Sequence, residues 1–215
     1  MGKLKDTFGE LLKKFPSLKN PEDFLALIET FDRNNELFKI LLNDSMTSKD
    51  ASRADIENQY LRRTFVRTSF ATIEGLLNIL NQSVVDIYKN EFFALTNEEL
   101  ENLTEETRTK KGETRLKFMP LNKKLQFSFE IFARKIGGID YKIDTTTDKW
   151  KEFENAIYIR NRLTHPRLPE DMLLDEKQMA VVLNAYSWFV DIYKEMESKT
   201  AEASSKKSLE ALRAC

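Results

Sequence analysis

The longest uninterrupted pattern in the chain runs from about Ala54 to Asn90, with no proline and with Gly75 as its only glycine. Val66, Phe70, Ile73, Leu77, Leu80, Val84 and Ile87 recur there at alternating steps of four and three residues, with Tyr60 as a marginal first member. That is the period of one helix face; a strand would divide the set between the two sides of a sheet. A stripe of this length must be covered by other apolar faces, and the most economical cover is more helix.

The rest of the chain supplies it. Leu4, Phe8, Leu11, Leu12 and Phe15 mark a short first helix ended by Phe15-Pro16. Asn20 can cap a second, with Pro21 in its first turn, and Phe24, Leu27, Ile28, Phe31, Phe38, Leu41 and Leu42 carry it to about Met46. Thr96-Asn97-Glu98-Glu99 reads as a capped acidic helix start. Leu121, Leu125, Phe129, Phe132 and Ile136 give another helix, stopped by Gly137-Gly138, with a short extended piece expected over Ile139 to Ile143. Thr147 or Asp148 caps the next, and Met179, Val182, Leu183, Tyr186, Phe189, Val190 and Tyr193 define the last strong one. Six glycines and five prolines are too few for a fold of many strands and tight turns. The reading is an all-α fold. It divides into a helical extension over 1–50, a helical bundle over 51–198, and a tail over 199–215 with little to bury, which is expected to fray.

The formal net charge of −1 provides no global field for nucleic acid, so any such contact needs a local patch. One basic stretch, Arg108 to Lys117, reads either as a solvated loop or as an RNA-contacting one. The lone cysteine, Cys215, permits no intrachain disulfide. No apolar run is long enough for a bilayer, no signal peptide is visible, Asp6 breaks the myristoylation pattern, and a terminal Cys is not a prenylation box. The expected setting is soluble and cytoplasmic, with no membrane partner.

Chemistry concentrates in one place. His165 is the only histidine, at the end of the helix that begins near residue 148, and histidine is the side chain best suited to proton transfer near neutrality. At about 100° per residue, Trp150, Phe153, Ile157 and Thr164 cluster on one face, and Arg160 falls on it about 20° from Phe153, where Leu or Ile would be expected. An unpaired guanidinium there would be costly, so Arg160 should face a polar cavity, an anion or a partner. Asn161 and His165 share a flank four residues apart. Pro166 keeps His165 out of the α conformation, at the frayed helix end. A cation, an amide and a titratable ring gathered there suit an oxyanion such as a phosphodiester. The structural alternative is that His165 is only a C-terminal capping residue. On the long helix, Arg67, Glu74, Asn78 and Asn81 share one shoulder of the stripe, read either as a solvated edge or as a second layer around the site. No Cys or carboxylate stands at ligand spacing from the His, so no metal or other cofactor is expected.

Arg160-Asn161-x-x-x-His165, followed by Pro166 and placed late in the third of four core helices, resembles the Arg-Asn-x-x-x-His signature of the HEPN superfamily. The resemblance spans roughly residues 54 to 198. It implies a four-helix up-and-down bundle that dimerises with its two motifs facing each other. It also implies metal-independent endoribonuclease activity, with Arg160, Asn161 and His165 catalytic and RNA as substrate. Toxin and phage-defence members bring in an antitoxin or a regulatory protein as partner, and other members are inactive binding modules. The branch paired with nucleotidyltransferase antitoxins carries a Tyr two residues after the His, where this chain has Arg167. Arg162, Arg167, Arg67 and Glu74 complete the expected substrate-binding set. One chain offers one His, whereas RNA cleavage without a metal needs both a base and an acid; a two-fold dimer offers two.

Overall fold

The computed structural model describes residues 59–108 and 113–213. In order they form α1 (Gln59–Lys89), α2 (Asn97–Thr104), β1 (Glu106–Arg108), β2 (Thr114–Leu116), α3 (Leu121–Phe132), a π-helical turn (Ala133–Gly137), α4 (Asp148–Thr164), a 3-10 turn (Pro169–Met172) and α5 (Glu176–Arg213). The fold is all-α, and among the described residues the only sheet is the two-stranded ribbon β1–β2. None of the described helices is long and apolar enough to cross a membrane. The two N-terminal helices expected within 1–50 lie outside the described residues.

The chain divides into two compact units, and α1 contributes to both: Ile79–Met119 belongs to one, and residues 59–78 with the described residues from Pro120 onward belong to the other. In the larger unit the predicted stripe of α1 is buried at Val66, Phe70, Ile73 and Leu77, joined by Phe65 and Leu76. Phe65 meets Tyr186 of α5 edge-on, with ring centroids 6.4 Å apart. Phe129 of α3 lies against Phe189 and Tyr193 of α5. Trp150 and Phe153 of α4 close on Trp188. Each such ring removed from water contributes about 2–3 kcal/mol.

α4 starts where its sequence dictates: the Thr147 hydroxyl accepts a hydrogen bond from the Trp150 N–H at 3.2 Å. α3 also ends at its glycines, but by widening first into the π turn, and Gly138 then takes a left-handed φ of 66°. Ile139 to Ile143, too short to found a sheet, lies in no strand, and Tyr141 is buried against Phe129. The segment after 198 continues α5 to Arg213, and Thr200 is buried, because Gly137 leaves room for it: a Cβ at 137 would lie 3.0 Å from Thr200 Cγ2.

In the smaller unit, α2 begins with a capping box in which the Thr96 hydroxyl accepts from the Glu99 N–H and the Glu99 carboxylate accepts from the Thr96 N–H. Glu105, in the left-handed region at φ 52°, ends α2 and turns the chain into β1. The basic stretch Arg108 to Lys117, read as a loop, is in part an antiparallel ribbon, pairing Glu106 with Leu116, Thr107 with Arg115 and Arg108 with Thr114. Lys117 N–H to the Glu105 carbonyl, at 2.7 Å, extends the pairing.

Candidate functional site

α4 places the motif. Its buried side chains are Trp150, Phe153, Ala156, Ile159 and Leu163. The packed face thus reaches further round the helix than the large residues alone indicated, while Ile157 is half-buried and Thr164 exposed. Arg160 still falls between Phe153 and Ala156 in angle, inside the packed face, and its side chain keeps only 26% of its exposure.

The charge there is met within the chain. Arg160 Nη2 donates to Glu74 Oε1 of α1 in an ion pair, and Nη1 donates to Asn161 Oδ1 at 2.9 Å. The guanidinium carbon also lies 5.9 Å from the centre of the Phe70 ring, within cation–π range. Arg160, Asn161 and Glu74, singled out separately in the sequence, are one connected group. A pre-set guanidinium of this kind, with its carboxylate half-exposed, can exchange that carboxylate for a phosphate oxygen while Asn161 holds its plane.

His165 ends α4 outside the α region, at φ −128° and ψ 61°, as the following Pro166 favours, and its N–H still bonds the Asn161 carbonyl at 2.9 Å. The residue is exposed. Asn161 therefore has two tasks: its side chain orients Arg160 and its backbone closes the turn that carries His165.

The other predicted residues separate. Arg162 is half-buried and turned to the following loop. Its Nη2 donates to the Leu173 carbonyl at 2.9 Å and to Gln178 Oε1 at 3.2 Å, while its Nε is buried without a hydrogen-bond partner. Arg67 is exposed, and among the described residues no hydrogen bond or ion pair ties it to the Arg160 group. Arg167 is exposed, and its backbone N–H is held by Asp171 at 2.7 Å. The same carboxylate accepts from the Leu168 N–H, and these two bonds hold its pKa below the ordinary value. Of the remaining shoulder, Asn78 accepts from Lys124 Nζ of α3 at 2.7 Å, and Asn81 is buried in the smaller unit.

Sequence reasoning missed the clamp on the loop that follows His165. Gln59 exchanges two hydrogen bonds with the Leu174 backbone, at 3.0 and 2.9 Å, and Arg63 donates to the Met172 carbonyl at 3.1 Å. Arg62, 6% exposed, also donates to the Leu174 carbonyl. The available signal was Gln-Tyr-Leu-Arg-Arg opening a long helix, but carbonyl acceptors leave no mark in a sequence. Among the described residues no group of three or more His, Cys, Asp or Glu side chains is arranged to hold a metal ion.

No protein-family model matches the chain, and neither a curated protein nor a solved structure resembles it significantly.

Proposed function

We propose that this chain is a metal-independent endoribonuclease of the HEPN type, built on a four-helix up-and-down bundle and active as a homodimer. The observation that carries the reading is the Arg160 group: a half-buried guanidinium oriented by Glu74 and Asn161, one turn before an exposed histidine at the helix end. In the proposed reaction one His165 removes the proton from a ribose 2′-OH, and the freed oxygen attacks the adjacent phosphorus. The bond to the 5′-oxygen breaks, and the second subunit's copy of the same imidazole returns a proton to that leaving group. Arg160 stabilises the negative charge on the phosphorane oxygens. Products end in 2′,3′-cyclic phosphate and 5′-OH. Arg167, exposed beside the motif, is the further cation for the RNA backbone, and Arg67 supports it; Arg162 serves the loop instead. The setting is a cytoplasmic toxin or phage-defence role, with an antitoxin or regulatory protein as partner.

The test is cleavage of total or transfer RNA in EDTA by wild type, His165→Ala and Arg160→Ala. Both variants are expected to lose cleavage, with products of the wild type carrying new 5′-OH ends. Undiminished cleavage by both variants, or wild-type activity abolished by EDTA, defeats the proposal.

One observation favours a second reading. Glu74 already neutralises Arg160, which suits a catalytically silent HEPN-like module that binds RNA or a protein. Tight binding without new 5′-OH ends selects it.

A further inference from the structure

α1 reaches the motif region at two points. At Glu74 it holds the Arg160 guanidinium. About 18 Å earlier along the same helix, Arg62 donates to the Leu174 carbonyl from a position only 6% exposed. A buried guanidinium is costly unless a carboxylate meets it, and among the described residues none pairs with Arg62. The carbonyl has no need of it either. Gln59 Nε2 already donates to that oxygen at 3.0 Å, while Gln59 Oε1 accepts from the Leu174 N–H at 2.9 Å. An apolar side chain at 62 would be buried at lower cost, so stability does not account for the arginine. What Arg62 adds is a fixed place for Leu174.

That fixed place is carried back to His165 by a run of hydrogen bonds. Arg162 Nη2 bonds the Leu173 carbonyl at 2.9 Å, which closes residues 162–173 into a ring on the end of α4. Within the ring the Leu173 N–H bonds the Glu170 carbonyl and the Asp171 N–H bonds the Leu168 carbonyl, both at 3.0 Å. The Asp171 carboxylate in turn accepts from the Arg167 and Leu168 N–H groups, just beyond the histidine. His165 itself has left the helix and keeps one backbone bond to it, at 2.9 Å to the Asn161 carbonyl. α4 therefore holds Arg160 firmly and His165 by a single tie. We propose that Arg62, with Gln59, is a positioning residue of the site: it anchors the loop to α1 and so fixes His165 relative to the guanidinium that α1 holds through Glu74. The inference rests on the ribonuclease reading, in which imidazole and guanidinium act on one phosphate and an error of about 1 Å in their placement costs rate.

The experiment compares wild type, Arg62→Met and Gln59→Ala as full chains, in EDTA, at a temperature where urea unfolding shows each to be folded. Arg62→Met removes a buried charge and leaves the Leu174 carbonyl to Gln59, so its stability should equal or exceed that of wild type. Its kcat for RNA cleavage should nevertheless fall about tenfold, with KM changed less than about threefold, and Gln59→Ala should move the same way. Amide hydrogen exchange is measured on the same proteins without RNA. The His165, Arg167 and Leu168 amides, well before the anchor in the chain, should exchange about tenfold faster in both variants. A kcat within about twofold of wild type in both variants overturns the positioning role. So does a change confined to KM, because the loop then binds substrate and does not place the histidine. Either result leaves the ribonuclease reading standing. If wild type cleaves no RNA, that reading fails by itself and exchange decides the anchor: unchanged protection at the three amides overturns it, and faster exchange upholds it.

Discussion

Replacing Glu74 by Ala strands the Arg160 guanidinium inside the packed face of α4. The side chains are 26% and 38% exposed, midway between two known limits. Exposed pairs contribute about 0–1 kcal/mol, and breaking a fully buried pair costs about 3–5 kcal/mol, so about 2 kcal/mol is expected here. For a domain of this size that lowers Tm by about 4–8 °C, read by differential scanning calorimetry. Glu74→Gln should cost about half as much, because its amide oxygen still accepts from Nη2 and only the charge is lost. The decisive measurement is the double-mutant cycle with Arg160→Met, which removes the charge that Glu74 serves. In that background Glu74→Ala should cost less than about 0.5 kcal/mol, giving a coupling above about 1 kcal/mol. A Tm shift below about 1 °C for the single variant, or an equal cost in both backgrounds, would refute the claim that Glu74 holds Arg160.

Three further outcomes follow from the packing. Gly137→Ala drives a Cβ to 3.0 Å from Thr200 Cγ2 and 3.1 Å from its Cα, and because backbone cannot step aside the expected loss is about 1–3 kcal/mol in urea unfolding. Arg162→Ala frees the Leu173 carbonyl and Gln178, so hydrogen exchange over residues 172–175 should accelerate while the salt dependence of RNA binding stays unchanged. Asp171 has a lowered folded pKa, so the stability it lends is present above about pH 4 and is lost as pH falls through the folded value. The gap in urea midpoint between wild type and Asp171→Asn should therefore be widest at neutral pH and close in acid; a gap that persists unchanged to pH 2 contradicts the assignment.

Much of the fold was legible because apolar side chains announce helical faces at distances of three and four residues. The stripe of α1, the Thr96 and Thr147 caps and the Gly138 stop all appear where the residues put them. What escaped depends on partners far along the chain or on groups with no side chain. The helical continuation past Ser198 packs Thr200 on Gly137, and a missing Cβ does not register in a hydrophobic pattern. The ribbon strands are three residues each, too short for alternation to stand out from loop. At the site, the anomaly of Arg160 was visible, and Glu74 was visible on its own helix. Their pairing across 86 residues was not. Arg162 looked like an RNA contact because its acceptor is a backbone carbonyl, identical in every residue.

His165 is the only imidazole in 215 residues, and it sits exposed at the end of α4. In a proton or nitrogen magnetic resonance spectrum its ring therefore gives one set of signals that needs no assignment by mutation. Titration of that single resonance reads the protonation of the motif directly, and its displacement on adding RNA, a second protein or Glu74→Ala reports which of them reaches the helix end. The chain carries its own label at the one position where the chemistry is in question.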